Sequence, residues 1–261
     1  MAEIKEIISL NIETSNCNFK LFLNDIEIFH HRSGTPLYFI LPINEWLKVL
    51  ENKIKLEVIK SDDEPYLNSD TTASITVTKR MESESKLNAN KIAEFVLPLI
   101  ENPKTEIEQK LFATLSGSFI SPIESNSTIF SDLQDISKIH SSEVYNFYLK
   151  LFDVFKAKDF NVFLNLIDFK ITEFSKSYGK SKDSEIIRQK EFYERFYNTD
   201  YFILAQERVH TKFVLPGKVL LMEDEVGDQP IYFYDRPNKL ILSYPVYLAK
   251  KNGEKELSII R

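Results

Sequence analysis

The sequence predicts an α+β protein, with an N-terminal antiparallel β-sandwich followed by a helix-plus-antiparallel-sheet domain. Three observations predict it. Over most of the first 120 positions apolar residues alternate with polar ones, the period of a strand with one buried face. From about residue 141 the apolar spacing becomes three and four, the period of an amphipathic helix. After Asn198-Thr199-Asp200 the period returns to two.

Ile8, Leu10 and Ile12 alternate with Ser9, Asn11 and Glu13. Phe19, Leu21 and Leu23 repeat the pattern, and Cys17 is expected in a turn just before them. Asn24-Asp25 marks a hairpin leading to Ile26 and Ile28. The turn cluster Ser33-Gly34-Thr35-Pro36 precedes Leu37–Leu41. Ile54, Leu56 and Val58 alternate with Lys53, Lys55 and Glu57, and Ile75 and Val77 with threonines. Pro98 inside the apolar run 92–100 suits an edge strand or a strand end. Residues 105–115 fit either a helix or a strand. The Ser, Pro and Asn content of 121–131 marks a linker.

Three helices follow. Val144, Phe147, Tyr148, Leu151 and Phe155 form one stripe. Asp159 is placed to cap a second helix carrying Phe160, Phe163, Leu164, Ile167, Ile171 and Phe174, ended by Gly179. Asp183 or Ser184 caps a third with Ile186, Tyr193 and Tyr197. Tyr201, Ile203, Ala205, Val209, Thr211 and Phe213 then share one strand face, and Pro216-Gly217 is a turn. Strands are expected at 219–222, 231–234, 240–248 and 257–260, with Asn252-Gly253 as the hairpin signal between the last two. The domains are therefore 1–120, a linker at 121–140, and 141–261.

Composition bounds the function. Lys and Arg number 33 against 39 Asp and Glu, a net charge of −6, without the clustered basic surface that nucleic acid requires. No nucleic acid and no membrane is therefore expected as a partner, since no apolar run reaches the roughly 18 residues of a membrane helix. A lone cysteine forms no internal disulfide, and the N-terminus carries no apolar leader, so a cytoplasmic location is expected. The oligomeric state is left open. With 6 Gly against 20 Phe and 12 Tyr, aromatic rings must fill much of the core.

The common catalytic signatures are absent from the sequence. Gly179-Lys180-Ser181 has the ending of a phosphate-binding loop, but Phe174 stands where that loop needs glycine, so a helix cap is expected. His30-His31 would point to opposite faces of a strand and cannot share one metal. Trp46 is expected as a core plug at a sandwich edge. Asp153, Asp159, Asp168, Glu207, Arg208 and His210 supply no recognisable acid–base dyad. No catalytic residue, metal site or cofactor is expected.

The remaining constellation lies near the C-terminus. Glu223, Asp224, Glu225 and Asp228 form an acidic loop around Gly227. Beyond it Tyr232, Tyr234, Arg236, Tyr244 and Tyr247 gather on strands, with Tyr232 and Tyr234 on the face opposite Phe233. Tyr and Arg suit protein interfaces, and acidic charge steers a basic partner. A solvated loop, plain strand packing and a hard-cation site on the loop's oxygen ligands, whose spacing does not match the twelve-residue calcium loop, are the alternatives.

Two resemblances follow from these elements. Three helices and then long antiparallel strands, with aromatic stripes over about 142–261, look like the cone-shaped fold of the NTF2-like group. That fold carries a short strand between its second and third helices, which only Phe169–Phe174 could supply. In general character a motif-poor β-sandwich joined to such a domain is similar to bacterial immunity proteins, which neutralise toxins delivered between cells. The expectation is a non-enzymatic protein that binds and neutralises a protein partner, such as a basic toxin domain, through Glu223, Asp224, Glu225, Asp228, Tyr232, Tyr234 and Arg236. Its alternatives are a small-molecule-binding or enzymatic cone domain and a scaffold subunit.

Overall fold

A computed structural model describes residues 6–32, 34–123, 131–197, 199–225, 227–235, 240–243 and 246–260, and these form mixed helix and antiparallel sheet. The chain divides into two compact units, Met1–Ser127 and Thr128–Arg261. Among the described residues no helix is long and apolar enough to cross a membrane.

The first unit contains β1 (Glu6–Ser15), β2 (Cys17–Leu23), β3 (Ile26–His31), β4 (Leu37–Pro42), β5 (Glu51–Lys60), β6 (Thr72–Met81), β7 (Asn90–Val96) and β8 (Phe112–Ile120). They form two antiparallel sheets, ordered β4-β1-β6-β7 and β3-β2-β5-β8. The apolar positions of the alternating runs, such as Leu10, Leu21, Leu56 and Val77, are fully buried. Rings from the two sheets meet in the middle: Phe19 lies 6.5 Å from Phe39, and Phe29 lies 4.4 Å from Phe39.

Two asparagines in the left-handed region shape this unit. Asn16, at φ +54°, is the one-residue corner that takes the chain from the first sheet to the second. Cys17 therefore starts β2, fully buried, instead of lying in a turn. Asn24 and Asp25, at φ +54° and +70°, supply the two positive angles of a hairpin turn between β2 and β3. The Asn24 side chain donates to the Trp46 carbonyl at 2.9 Å and to Asn52 Oδ1 at 2.8 Å. Trp46 is fully buried, as expected of a core plug.

Residues 105–115 resolve into a 3-10 turn at Glu106–Glu108 and the start of β8. Edge strand β7 ends two residues before Pro98. At Gly117 in β8 a Cβ would stand 2.0 Å from the Phe95 ring of β7, so glycine is required by the close approach of that ring.

The second unit contains α1 (Ser141–Ala157), α2 (Phe160–Leu166), α3 (Asp168–Tyr178) and α4 (Lys182–Glu194). Its strands are β9 (Asp200–Ile203), β10 (His210–Leu215), β11 (Val219–Glu223), β12 (Ile231–Asp235), β13 (Leu240–Ser243), β14 (Leu248–Ala249) and β15 (Ser258–Ile259). The second of the three expected helices is divided at Ile167, so four are present among the described residues. The stripe Phe163, Ile167 and Ile171 stays buried across the bend, because apolar spacing fixes the buried face and not the straightness of the axis. Asp159 caps α2 by accepting the Val162 N–H at 3.0 Å. The cap of α4 is Ser181, not Asp183 or Ser184, since Ser181 Oγ accepts the Ser184 N–H at 3.1 Å. Gly179 closes α3 in the left-handed region, so Gly179-Lys180-Ser181 is a cap followed by a cap.

The strands form two sheets, β10-β11-β14-β15 and β13-β12-β9. The expected single face from Tyr201 to Phe213 is therefore split between sheets by a 3-10 turn at Gln206–Arg208. Gly253 turns at φ +87°, but β14 and β15 pair Leu248 with Ile259, so the connection is longer than a two-residue hairpin. Residues 131–140, expected in the linker, belong to this unit. Leu133 and Ile136 are buried, Gln134 N–H donates to the Lys250 carbonyl at 2.8 Å, and Ile136 N–H to that of Gly217 at 2.7 Å. The helices and sheets share an aromatic core in which Phe155 lies 5.5 Å from Phe163 and 5.0 Å from Phe233, and Phe163 lies 4.6 Å from Tyr193.

Gly117→Ala is expected to lower the unfolding free energy by about 1–3 kcal/mol, because the Phe95 ring must move; urea denaturation measures it. Burial pushes the Cys17 thiol up to about 11 from 9.0. The folded state therefore holds its proton where the unfolded chain releases it, and stability falls as pH rises from 9.0 toward 11. The loss attributable to Cys17 is about 2–3 kcal/mol, and Cys17→Ala should remove that component from the pH profile. At neutral pH iodoacetamide should label Cys17 only after denaturation.

Candidate functional site

The site is built on β12 and the loop that precedes it. Strand alternation places Tyr232 and Tyr234 on one side of β12 and Phe233, fully buried, on the other. Tyr232 is paired with Phe202 of β9, and their rings stack nearly parallel at 4.9 Å with a 3° interplanar angle. Phe202 is 41% exposed, so the stack faces solvent.

The loop is ordered by its own carboxylates. Asp224 N–H donates to the Asp228 carbonyl at 2.9 Å, and Asp228 N–H donates back to Asp224 Oδ1 at 3.0 Å. Gly227 sits between them at φ +91°, and its N–H donates to the Asp224 carbonyl at 3.1 Å. Glu225 is exposed. The Tyr232 hydroxyl faces the Asp228 carboxylate. Partial burial, together with Asp228 and Asp224, pushes that hydroxyl well above the ordinary tyrosine range, while Arg208 works in the other direction. The arrangement is a stacked aromatic pair bordered by two carboxylates, suited to receiving a guanidinium or ammonium group by cation–π contact and ion pairing.

Both ends of the loop are tied to α1. The Tyr148 hydroxyl accepts the Met222 N–H at 3.1 Å and faces the oxygens of Gln229 (Oε1, 3.2 Å) and Val246 (carbonyl, 3.3 Å). Gln229 Oε1 also accepts the Val246 N–H at 2.6 Å. Tyr148 is fully buried and Gln229 nearly so.

The expected site residues divide accordingly. Asp224, Glu225, Asp228, Tyr232 and Tyr234 fall on this loop and strand face. Glu223 does not belong to the loop. It ends β11, is 8% exposed, and is matched by Lys212 Nζ at 3.0 Å and His210 Nε2 at 3.7 Å. Tyr247 is buried. Arg236 and Tyr244 lie outside the described residues. Phe202 and Gln229 escaped the sequence reading. Phe202 could have been found, because its neighbours Tyr201 and Ile203 alternate to the other face.

Of the ionisable candidates, Asp153 and Asp159 border one open hollow beside α1 and α2. Asp159 is a helix cap and His210 approaches Glu223. Asp168 borders a polar pocket of about 200 Å³ with Glu173 and Lys176. Its carboxylate meets Lys182 at 2.6 Å, and Glu173 meets Lys176 at 3.1 Å. No family model matches the chain, and no curated protein and no solved structure matches it either.

Tyr148→Phe leaves the buried Met222 N–H without its acceptor and is expected to cost about 1–3 kcal/mol of stability. Hydrogen exchange at Met222 and Val246 should rise more than at the strands of the first unit.

Proposed function

We propose that the protein is a non-enzymatic binding protein that captures a basic protein partner and neutralises it, in the manner of an immunity protein acting on a toxin domain. The observation that carries this is the exposed Phe202–Tyr232 stack bordered by Asp224 and Asp228. A rigid aromatic surface loses little side-chain entropy on binding, and the carboxylates favour a cationic partner and speed encounter. The net charge of −6 supports the same partner chemistry and disfavours nucleic acid. A cytoplasmic location away from membrane is part of the proposal.

The NTF2-like cone is the weaker reading. Its support is the order of helices followed by antiparallel strands. Against it, helix α3 occupies 169–174 where that fold carries a strand, and the rings of Phe155, Phe163, Tyr193 and Phe233 fill the space between helices and sheets.

Expression alongside a toxin encoded next to the gene should rescue growth. The double variant Asp224→Asn, Asp228→Asn should weaken binding of that toxin by roughly ten- to hundredfold and flatten its salt dependence, as read by titration calorimetry. Growth arrest despite expression overturns the neutralising function, and full affinity in the double variant overturns the site.

A further inference from the structure

We propose that the protein forms a two-fold symmetric dimer in which β8 of one copy pairs antiparallel with β8 of a second copy, joining two four-stranded sheets into one. The proposal concerns the first unit and is independent of the acidic–aromatic site.

The first observation is the free edge. β8 is the last strand in the order β3-β2-β5-β8, and among the described residues nothing pairs with its outer side beyond Lys110, whose carbonyl accepts the Leu67 N–H at 2.8 Å. The backbone polarity of this edge follows from its pairing with β5. Lys60 N–H donates to the Leu111 carbonyl and Ser121 N–H to that of Leu50. Odd-numbered residues thus bond to β5, and Phe112, Thr114, Ser116, Ser118 and Ile120 direct their N–H and C=O groups outward.

The second observation is that this edge lacks the features that keep edges apart. Charge, proline and bulges are the usual devices against edge-to-edge pairing. β7 carries Lys91 and Glu94, β4 ends at Pro42, and β3 is short with a register shift in its pairing. β8 has nine residues, an unbroken register, no charge and no proline.

The third observation is self-complementarity. About a two-fold axis at Ser116, Phe112 faces Ile120, Ala113 faces Phe119, Thr114 faces Ser118 and Leu115 faces Gly117. Phe112 and Ile120 are 72% and 71% exposed in the single chain, and this register covers both. Axes at Thr114 or Ser118 would bring in Lys110, already bonded, or Pro122, which has no N–H. Five outward residues per copy give about ten hydrogen bonds, the number a stable interface carries. An edge about 30 Å long on two layers about 10 Å apart buries roughly 500 Å² per copy, about 1,000 Å² in all, at the lower bound for a biological interface, so the backbone hydrogen bonds carry the pairing.

The test is light scattering of the full chain over a concentration series, with variants on the axis. Wild type should be a dimer. Ser116→Lys and Ser116→Glu each set like charges face to face and should each weaken dimerisation by roughly tenfold or more, with unchanged circular dichroism. Mixing the two variants should restore a one-to-one dimer, because Lys then faces Glu. A wild type that stays monomeric at its highest soluble concentration overturns the proposal. So does a dimer that survives both variants, or a mixture of the folded variants that stays monomeric.

Discussion

The second unit depends on one buried hydroxyl. Tyr148 reaches from the first helix into the sheets and joins Met222, Gln229 and Val246, which lie on three separate stretches of chain. A polar group so deeply placed is costly unless every neighbour is satisfied, so the network admits few alternative arrangements. Met222 precedes the acidic loop and Gln229 follows it. The loop is thus short-tethered at both ends, and its inner hydrogen bonds between Asp224 and Asp228 close the remaining freedom.

Burial sorts the acidic residues into two kinds. Glu223 sits where water is scarce, and Lys212 offsets its charge at 3.0 Å; removing one partner there would strand the other. Asp224, Glu225 and Asp228 keep access to solvent, where charge costs little and acts at a distance within the screening length. One residue of sequence separates a carboxylate buried against a lysine from carboxylates that reach solvent, and the end of strand β11 draws that line.

Much of the architecture was legible because period-two and period-3.6 patterns report burial directly. The strands of the first unit, the aromatic stripes of the helices and the two faces of β12 follow from that. What alternation does not report is the partner of a strand: the run from Tyr201 to Phe213 looks continuous yet serves two sheets. Nor does composition distinguish a linker from an extended segment whose backbone is paired, as at Leu133 to Ile136. In the site, Tyr232 and the loop aspartates were visible as residue types. The face of Phe202 follows from the alternation of Tyr201 and Ile203, but its pairing with Tyr232 comes from cross-strand register, and Glu223 belongs to β11 because the strand extends one residue beyond its apolar run.

The corner at Asn16 has a consequence for how the chain folds. By passing each neighbouring strand to a different sheet, it prevents β1 and β2 from pairing with each other. β1 pairs instead with β4 and β6, and β5 with β2 and β8; the β1–β6 and β5–β8 pairings each join residues more than fifty positions apart. Such distant closures are slow, on the millisecond-to-second scale typical of sheet sandwiches, whereas the helices of the second unit close locally. During synthesis the hairpin of β2 and β3 and the pairings of β1 with β4 and β2 with β5 can form early, whereas the outer side of β5 stays unmatched until the stretch around residue 120 emerges, and the uncharged β8 is the last piece to arrive.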